Sequence, residues 1–128
     1  MISGRSTSVR KRFGFTPSEW DEALAEMRRA LVEVAEARTT ITYGELVTRV
    51  APGRLSARSA GLGVLLGEIC AIEDEARGIM LGSVVVRAES GVPGKGYFRH
   101  AAELGRNVRE PSVFWQAEVE WVWNSYAR

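Results

Sequence analysis

Apolar residues recur at three- and four-residue steps early in the chain, a spacing typical of a helix with one buried face. The stripe consists of Trp20, Leu24, Met27, Leu31 and Val34. Residues 16–19, Thr-Pro-Ser-Glu, precede it and have the pattern of a capping box with proline in the first turn. The sequence therefore predicts a helix from residue 17 to about residue 37.

Two further helices joined by a turn are predicted in the middle of the chain. Residues 39–42 are β-branched and predict a turn or brief strand, and Thr42 followed by Glu45 predicts a capped helix over residues 43–50. Residues 51–54, Ala-Pro-Gly-Arg, predict a turn, and a third helix is expected to run from near Ser56 to about residue 76. This arrangement is typical of a helix-turn-helix.

The second half of the chain alternates between β and helical patterns. Residues 79–87 are almost continuously apolar and predict a buried strand, residues 89–96 contain three glycines and a proline and predict a loop, and residues 97–104 predict a short helix. Pro111 opens a last helix, whose apolar residues are Trp115, Val119, Val122 and Tyr126. We expect a mainly α fold with a small β component, winged helix-turn-helix-like, with an added N-terminal helix and a C-terminal Trp-rich helix.

Length and composition favour one globular domain. The chain has 128 residues, of which 45% are hydrophobic and 26% charged. We expect residues 1–14 to be a flexible basic arm and residues 15–128 a single domain. One cysteine cannot form an internal disulfide, and the chain shows neither a long apolar run nor a signal-peptide pattern, so we expect a cytoplasmic protein without a membrane segment.

The net charge of +1 is far from that of strongly basic nucleic-acid binders, so any DNA binding depends on local clusters of cations. Such clusters occur near the start and in the middle of the chain, at Arg5, Arg10, Lys11 and Arg12, and at Arg49, Arg54 and Arg58. Ser56 and Ser59 flank Arg58 at the start of the third predicted helix. Short hydroxyl side chains allow close approach to DNA, and arginine reaches bases or phosphates.

The sequence contains no convincing set of catalytic residues, and we expect neither an enzyme nor a cofactor or metal. His100 is the single histidine and has no triad or zinc partners in the sequence, and Cys70 lies among apolar residues typical of a core. The glycines of residues 91–96 lack the spacing of a Walker loop. Lys95 and Arg99 beside that loop can still hold a phosphate, as a wing does. An acidic group near the end of the third helix, Glu68, Glu73, Asp74 and Glu75, is expected to face water.

The C-terminal helix carries more aromatic surface than a single apolar face of the helix can bury. We expect it to lie across the core and cover Trp20. The alternative is that part of the helix forms an interface, including one between two copies of the chain.

Residues 39–91 resemble the DNA-binding domain of alkylguanine-DNA alkyltransferases and the alkyltransferase-like proteins. Residues 41–46 resemble the family's T-Y-G-E-L helix start, residues 56–61 its A-R-A-V-G recognition helix, and residues 85–89 its V-V-R-A-D segment. The resemblance implies that Tyr43 presses on a phosphate and that Arg58 enters the duplex as a base flips outward.

The family's reactive Pro-Cys-His-Arg falls on Leu81-Gly82-Ser83-Val84. The alkyl-accepting cysteine and its histidine are therefore absent, which excludes alkyl transfer by the family mechanism, and Cys70 is expected to lie too far upstream to substitute. Residues 91–98 also resemble a group of small uncharacterised bacterial and phage proteins, a resemblance that implies no function.

The leading hypothesis is a non-enzymatic protein that binds duplex DNA through the helix-turn-helix and a Gly-Pro wing loop. The predicted contacts are Tyr43, Arg49, Arg54, Ser56, Arg58, Ser59, Lys95, Arg99, Arg10, Lys11 and Arg12. The alternative is a protein-interaction module, either a regulator or a phage-type inhibitor, that uses the same scaffold and its aromatic C-terminal helix.

Overall fold

The computed structural model describes residues 11–127. In order along this part of the chain lie α1 (Pro17–Glu36), β1 (Ile41–Thr42), α2 (Tyr43–Arg49), α3 (Ala60–Arg77), a 3₁₀ helix (Leu81–Val84), β2 (Val85–Val86), α4 (Lys95–Glu103) and α5 (Pro111–Ser125). The mainly α fold with a small β component is confirmed. None of the helices in residues 11–127 is both long enough and apolar enough to cross a lipid bilayer.

Both predicted capping boxes form. The Thr16 hydroxyl accepts a hydrogen bond from the Glu19 N–H at 3.2 Å, and the Glu19 carboxylate accepts one from the Thr16 N–H at 2.8 Å. Thr42 and Glu45 make the same pair of bonds, at 3.1 and 3.0 Å, at the start of α2. Each box satisfies backbone donors that the first helical turn leaves free.

The third helix begins later than predicted. Ser59, not a residue near Ser56, is its N-cap, because the Ser59 hydroxyl accepts from the Leu62 N–H at 3.3 Å. The Ser59 N–H donates to the Ser56 carbonyl at 3.0 Å and closes a turn before the helix. Arg58 therefore lies in the connection between α2 and α3 and not on the recognition helix that the sequence predicted.

The predicted strand over residues 79–87 is largely wrong. Residues 81–84 form the 3₁₀ helix, and the strand is limited to Val85–Val86. β2 pairs in parallel with β1, with Ile41 opposite Val85 and Thr42 opposite Val86. The partner strand has two residues, so the ladder extends no further. The apolar residues of this segment are buried instead by the packing of the 3₁₀ helix against α1, α3 and α5.

The aromatic residues of α5 divide between the core and the surface. The indole N–H of Trp115 donates to the Ser83 carbonyl at 2.8 Å, and that of Trp123 donates to the Thr39 carbonyl at 3.0 Å. Trp121 points outward and is 62% exposed. Trp20 packs against Phe13 and Phe15 near the start of the chain, which differs from the expectation that α5 would cover it.

Glu73 is a carboxylate buried where α1, α3 and α5 meet, contrary to the expectation that it faces water. Its side chain is 3% exposed and accepts hydrogen bonds from Arg28 at 2.9 Å and from the hydroxyl of Tyr126. Arg77 adds a weaker ion pair at 3.7 Å. Buried carboxylates are tolerated where several donors surround them, so this group links three helices.

Candidate functional site

A cavity of about 720 Å³ opens between the start of α2, one face of α3, the 3₁₀ helix and the start of α4. Its volume lies within the range of about 300–1,000 Å³ that is typical of ligand pockets. The residues that line it are Thr42, Tyr43, Gly44, Ala57, Arg58, Ser59, Leu62, Gly63, Leu66, Cys70, Gly82, Arg87, Ala88, Glu89, Gly94, Lys95, Gly96, Tyr97 and His100.

Four of the predicted nucleic-acid contacts lie together on this cavity, namely Tyr43, Arg58, Ser59 and Lys95. Arg58 and Lys95 are exposed. Within residues 11–127 neither of these two cations makes a hydrogen bond or an ion pair through its side chain. Two unpaired positive charges therefore lie on one opening, from segments far apart in the sequence.

Tyr43 fixes one wall of the cavity. Its hydroxyl accepts a hydrogen bond from the Gly94 N–H at 3.0 Å, which ties the start of α2 to the residue before α4. Burial raises the pKa of Tyr43 above its ordinary value, and the bond to Gly94 offsets part of that effect. The hydroxyl is thus protonated at neutral pH and retains its own proton for donation to a ligand.

Three other predicted contacts lie outside the cavity lining, in ion pairs. Arg12 pairs with Glu68, Arg49 pairs with Glu33 at 2.7 Å, and Arg54 donates to the Gly14 carbonyl at 2.8 Å and lies 3.4 Å from Glu19. The sequence placed these arginines on a DNA surface. The fold instead brings each of them to a carboxylate.

The remaining predicted contacts are spread over the molecule. Lys11 and Ser56 are exposed and do not line the cavity. Arg99 is exposed on α4, one helical turn after Lys95 and therefore on the same side of the helix. Arg10 lies outside the described residues. Residues 11–14 of the predicted flexible arm are described, and Phe13 among them stacks on Trp20.

The loop that was predicted to act as a wing leads into a helix. The Arg87 N–H donates to the Val92 carbonyl and the Gly91 N–H donates to the Arg87 carbonyl, both at 2.9 Å, so the loop is closed tightly. Gly94 then caps α4, which begins at Lys95 and not at Tyr97. Lys95 therefore lies in the first turn of a helix, and within residues 11–127 no second strand follows this loop.

Cys70 and Gly82 meet at the buried end of the cavity. A Cβ atom placed on Gly82 would lie 2.8 Å from the Cys70 sulfur, well inside van der Waals contact. Cys70 is twelve positions upstream of Gly82 in the sequence, but α3 carries its thiol directly in front of Gly82 in space. Burial raises the pKa of Cys70 to about 12, so the group is a neutral thiol.

This contact makes glycine the residue that fits at position 82. We expect Gly82→Ala to lower the free energy of unfolding by about 1–3 kcal/mol, because the added methyl group overpacks a fully buried site. Cys70→Ala in the same chain should restore part of that loss, with a coupling of about 1 kcal/mol between the two changes. Urea unfolding of the four proteins measures this coupling, and strictly additive effects would contradict the contact.

Tyr97 and His100 also line the cavity, and the sequence did not indicate them as site residues. The hydroxyls of Tyr97 and Ser83 lie 2.6 Å apart, and burial raises the pKa of Tyr97. The His100 ring lies against Gly67 of α3, and its Nε2 is 3.3 Å from the Gly63 carbonyl. The packing of α4 on α3 brings these residues to the cavity. No local sequence pattern predicts this packing.

Among residues 11–127, no three His, Cys, Asp or Glu side chains are grouped so as to hold a metal ion. Comparison with models of known protein families, with curated proteins and with solved structures returned no match.

Proposed function

We propose that this protein binds duplex DNA at the cavity opening, without carrying out chemistry on it. The observation that carries the proposal is the position of Arg58 and Lys95, two cations without an ion pair within residues 11–127, on the same opening, with Tyr43 beside them. Phosphate contacts by such cations supply most of the affinity in protein–DNA binding.

The distribution of charge on the cavity lining supports this site. Three cations and one carboxylate line the cavity, and Arg87 pairs with Glu89 at 3.1 Å, which leaves the charges of Arg58 and Lys95 uncompensated. The net charge of the whole chain is only +1. Attraction of a phosphate backbone therefore depends on this local excess and not on the charge of the whole protein.

The first turn of α4 adds backbone donors to the same opening. Gly94 provides no side-chain cap, and within the described residues the N–H groups of Lys95 and Gly96 have no acceptor, whereas the Tyr97 N–H donates to the Gly94 carbonyl at 3.2 Å. Helix N-termini bind phosphate oxygens through such groups, and Lys95 adds a full charge there. With the protonated hydroxyl of Tyr43, these donors form the phosphate-binding side of the proposed site.

The cavity itself is proposed to receive a base that is extruded from the duplex. Its lining includes the buried side chains of Leu62, Leu66 and Tyr97, apolar surfaces suited to the faces of a base. Arg58 lies at the opening, where its guanidinium can occupy the space that the base leaves. These functions of Tyr43 and Arg58 are those implied by the resemblance to the alkyltransferase-like proteins.

Comparison of two arginine variants tests the proposal. Arg58→Ala should weaken binding of a labelled duplex about tenfold and reduce the slope of log affinity against log salt by about 1. Arg29→Ala is the matched control, since Arg29 is an exposed cation of α1 that does not line the cavity. Equal effects of the two substitutions would contradict the proposed site.

A protein partner is the second candidate, and one observation favours it. Trp121 and Val113 on α5 are 62% and 65% exposed, and their spacing puts them on one side of the helix. A partner protein or a second copy would bury these side chains. A complex that Trp121→Ala disrupts, together with no binding of DNA, would favour this candidate over the first.

A further inference from the structure

Residues 12–15 form a tight turn against α1 and α3, which we name the clasp. Arg12 and Phe15 exchange two backbone hydrogen bonds, each of 2.9 Å. The two central residues have positive φ, 53° at Phe13 and 85° at Gly14. Glycine adopts this conformation readily and phenylalanine rarely does. Contacts of the Phe13 side chain are therefore needed to hold the turn in this form.

Those contacts join the clasp to the first turn of α3. The Phe13 ring stacks on Trp20 with 5.9 Å between ring centroids. Its Cβ lies 3.1 Å from the point where a Cβ on Gly61 would be, so the helix start and the clasp are in close contact. The Arg12 guanidinium lies 4.2 Å from the centre of the same Trp20 ring and pairs with Glu68 of α3.

The clasp also holds the end of the turn that follows α2. The Arg54 guanidinium lies 4.0 Å from the centre of the Phe15 ring and donates to the Gly14 carbonyl at 2.8 Å. Arg54 and Gly61 flank the segment 55–60, and both are fixed on residues of the clasp. Arg58 is in this segment.

Support within this segment lies at its two ends, where Leu55 packs against the core and the Ser59 hydroxyl caps α3, and the residues between them have little. Residues 56–58 are exposed, and in the described chain the backbone bond from Ser59 to Ser56 is the one that closes this stretch. If the segment 55–60 were disordered in the free protein, binding would have to order its residues, and this loss of conformational entropy would weaken the affinity for DNA.

We infer that the clasp is a positioning element for Arg58. By ordering the connection between α2 and α3, it presents the Arg58 side chain to the ligand. The inference rests on the proposed DNA binding at the cavity opening. It also gives Arg54 a different function from the one that the sequence predicted, since Arg54 holds the connection in place and does not contact DNA.

Phe13→Asn is the variant that tests this inference. Asparagine tolerates positive φ and so preserves the turn, while the ring contacts with Trp20 and Gly61 are lost. We expect duplex affinity to fall about fivefold with an unchanged salt slope, because the charges that contact phosphate are all retained. Amide hydrogen exchange in residues 54–61 should become faster, with exchange in α5 unchanged.

Phe13→Tyr retains the aromatic ring, so the affinity of this variant for duplex DNA should lie within about twofold of the wild-type value. Val113→Ala, which truncates an exposed apolar residue on α5, is the control for loss of surface area. If Arg58→Ala lowers affinity and the salt slope but Phe13→Asn binds and exchanges like the wild type, the positioning inference is overturned and the proposed function stands. If the wild type binds no DNA, the proposed function fails and the inference with it.

Discussion

Replacement of Glu73 by alanine is expected to lower the free energy of unfolding by about 3 kcal/mol. The carboxylate is 3% exposed, and its loss leaves the Tyr126 hydroxyl without its acceptor and removes the partner of Arg28. Because Arg28 and Arg77 are each partly exposed, both can regain water, which keeps the loss below that of a fully buried pair. Urea unfolding measures the change.

Glu75→Ala is the matched control, because Glu75 is an exposed carboxylate of the same helix. Its effect on the free energy of unfolding should be within about 0.5 kcal/mol of zero. A Glu73→Ala protein as stable as this control would show that the buried group contributes nothing to the junction of the three helices.

The contribution of Glu73 should also depend on pH. Burial acts to raise the pKa of Glu73, but hydrogen bonds from Arg28 and Tyr126 outweigh it and hold the pKa below its ordinary value. A carboxyl whose pKa is lower in the folded state stabilises the fold above its unfolded pKa of about 4.3, and this stability is lost as the pH falls through the folded value. The stability difference between wild type and Glu73→Gln should therefore shrink below about pH 4.

Reversal of both unpaired charges at the cavity opening is expected to have the largest effect on binding. The double variant Arg58→Glu with Lys95→Glu should bind duplex DNA at least about a hundredfold more weakly, since two attractive contacts become repulsive. The slope of log affinity against log salt should fall by about 2, one unit for each lost phosphate contact. Fluorescence anisotropy with a labelled duplex measures both quantities.

The control for charge reversal keeps the same change in net charge but places it elsewhere. Arg29→Glu with Arg109→Glu alters two exposed cations that do not line the cavity. This protein should retain most of the wild-type affinity, apart from a small long-range effect that salt screens. Similar losses in the two double variants would mean that the net charge, and not the cavity opening, determines binding.

The features that the sequence predicted well are those set by neighbouring residues. The capping boxes of Thr16 with Glu19 and Thr42 with Glu45 act within one helical turn, so the pattern and the structure agree. The end of α3 is also close to the prediction, since Gly78 caps it with φ of 71°, two residues after the predicted end near residue 76.

The features that the sequence did not predict depend on contacts between distant segments. The apolar run before Val85 has the composition of a strand, but β1 offers only two residues for pairing, and the rest folds as a 3₁₀ helix among α1, α3 and α5. The contact of Cys70 with Gly82 likewise depends on how α3 packs, which no local pattern contains.

The same limit applies to the candidate site. Clusters of arginine in the sequence indicated a DNA surface but did not show which cations would be neutralised. In the fold, Glu33, Glu68 and Glu19 neutralise Arg49, Arg12 and Arg54, respectively. Arg58 and Lys95 have no such carboxylate within the described residues. Lys11 and Arg99 also have no ion pair in the described part of the chain but do not line the cavity, so selection of the site required the positions of both the acidic residues and the cavity in space.

Titration of a labelled duplex with the wild-type protein across a range of salt concentrations tests the central claim most directly. The proposed site predicts binding at micromolar concentration or tighter in low salt, with log affinity falling linearly against log salt at a slope of about −2 or steeper. Absence of binding by the folded protein at low salt would contradict the claim and direct attention to a protein partner at Trp121.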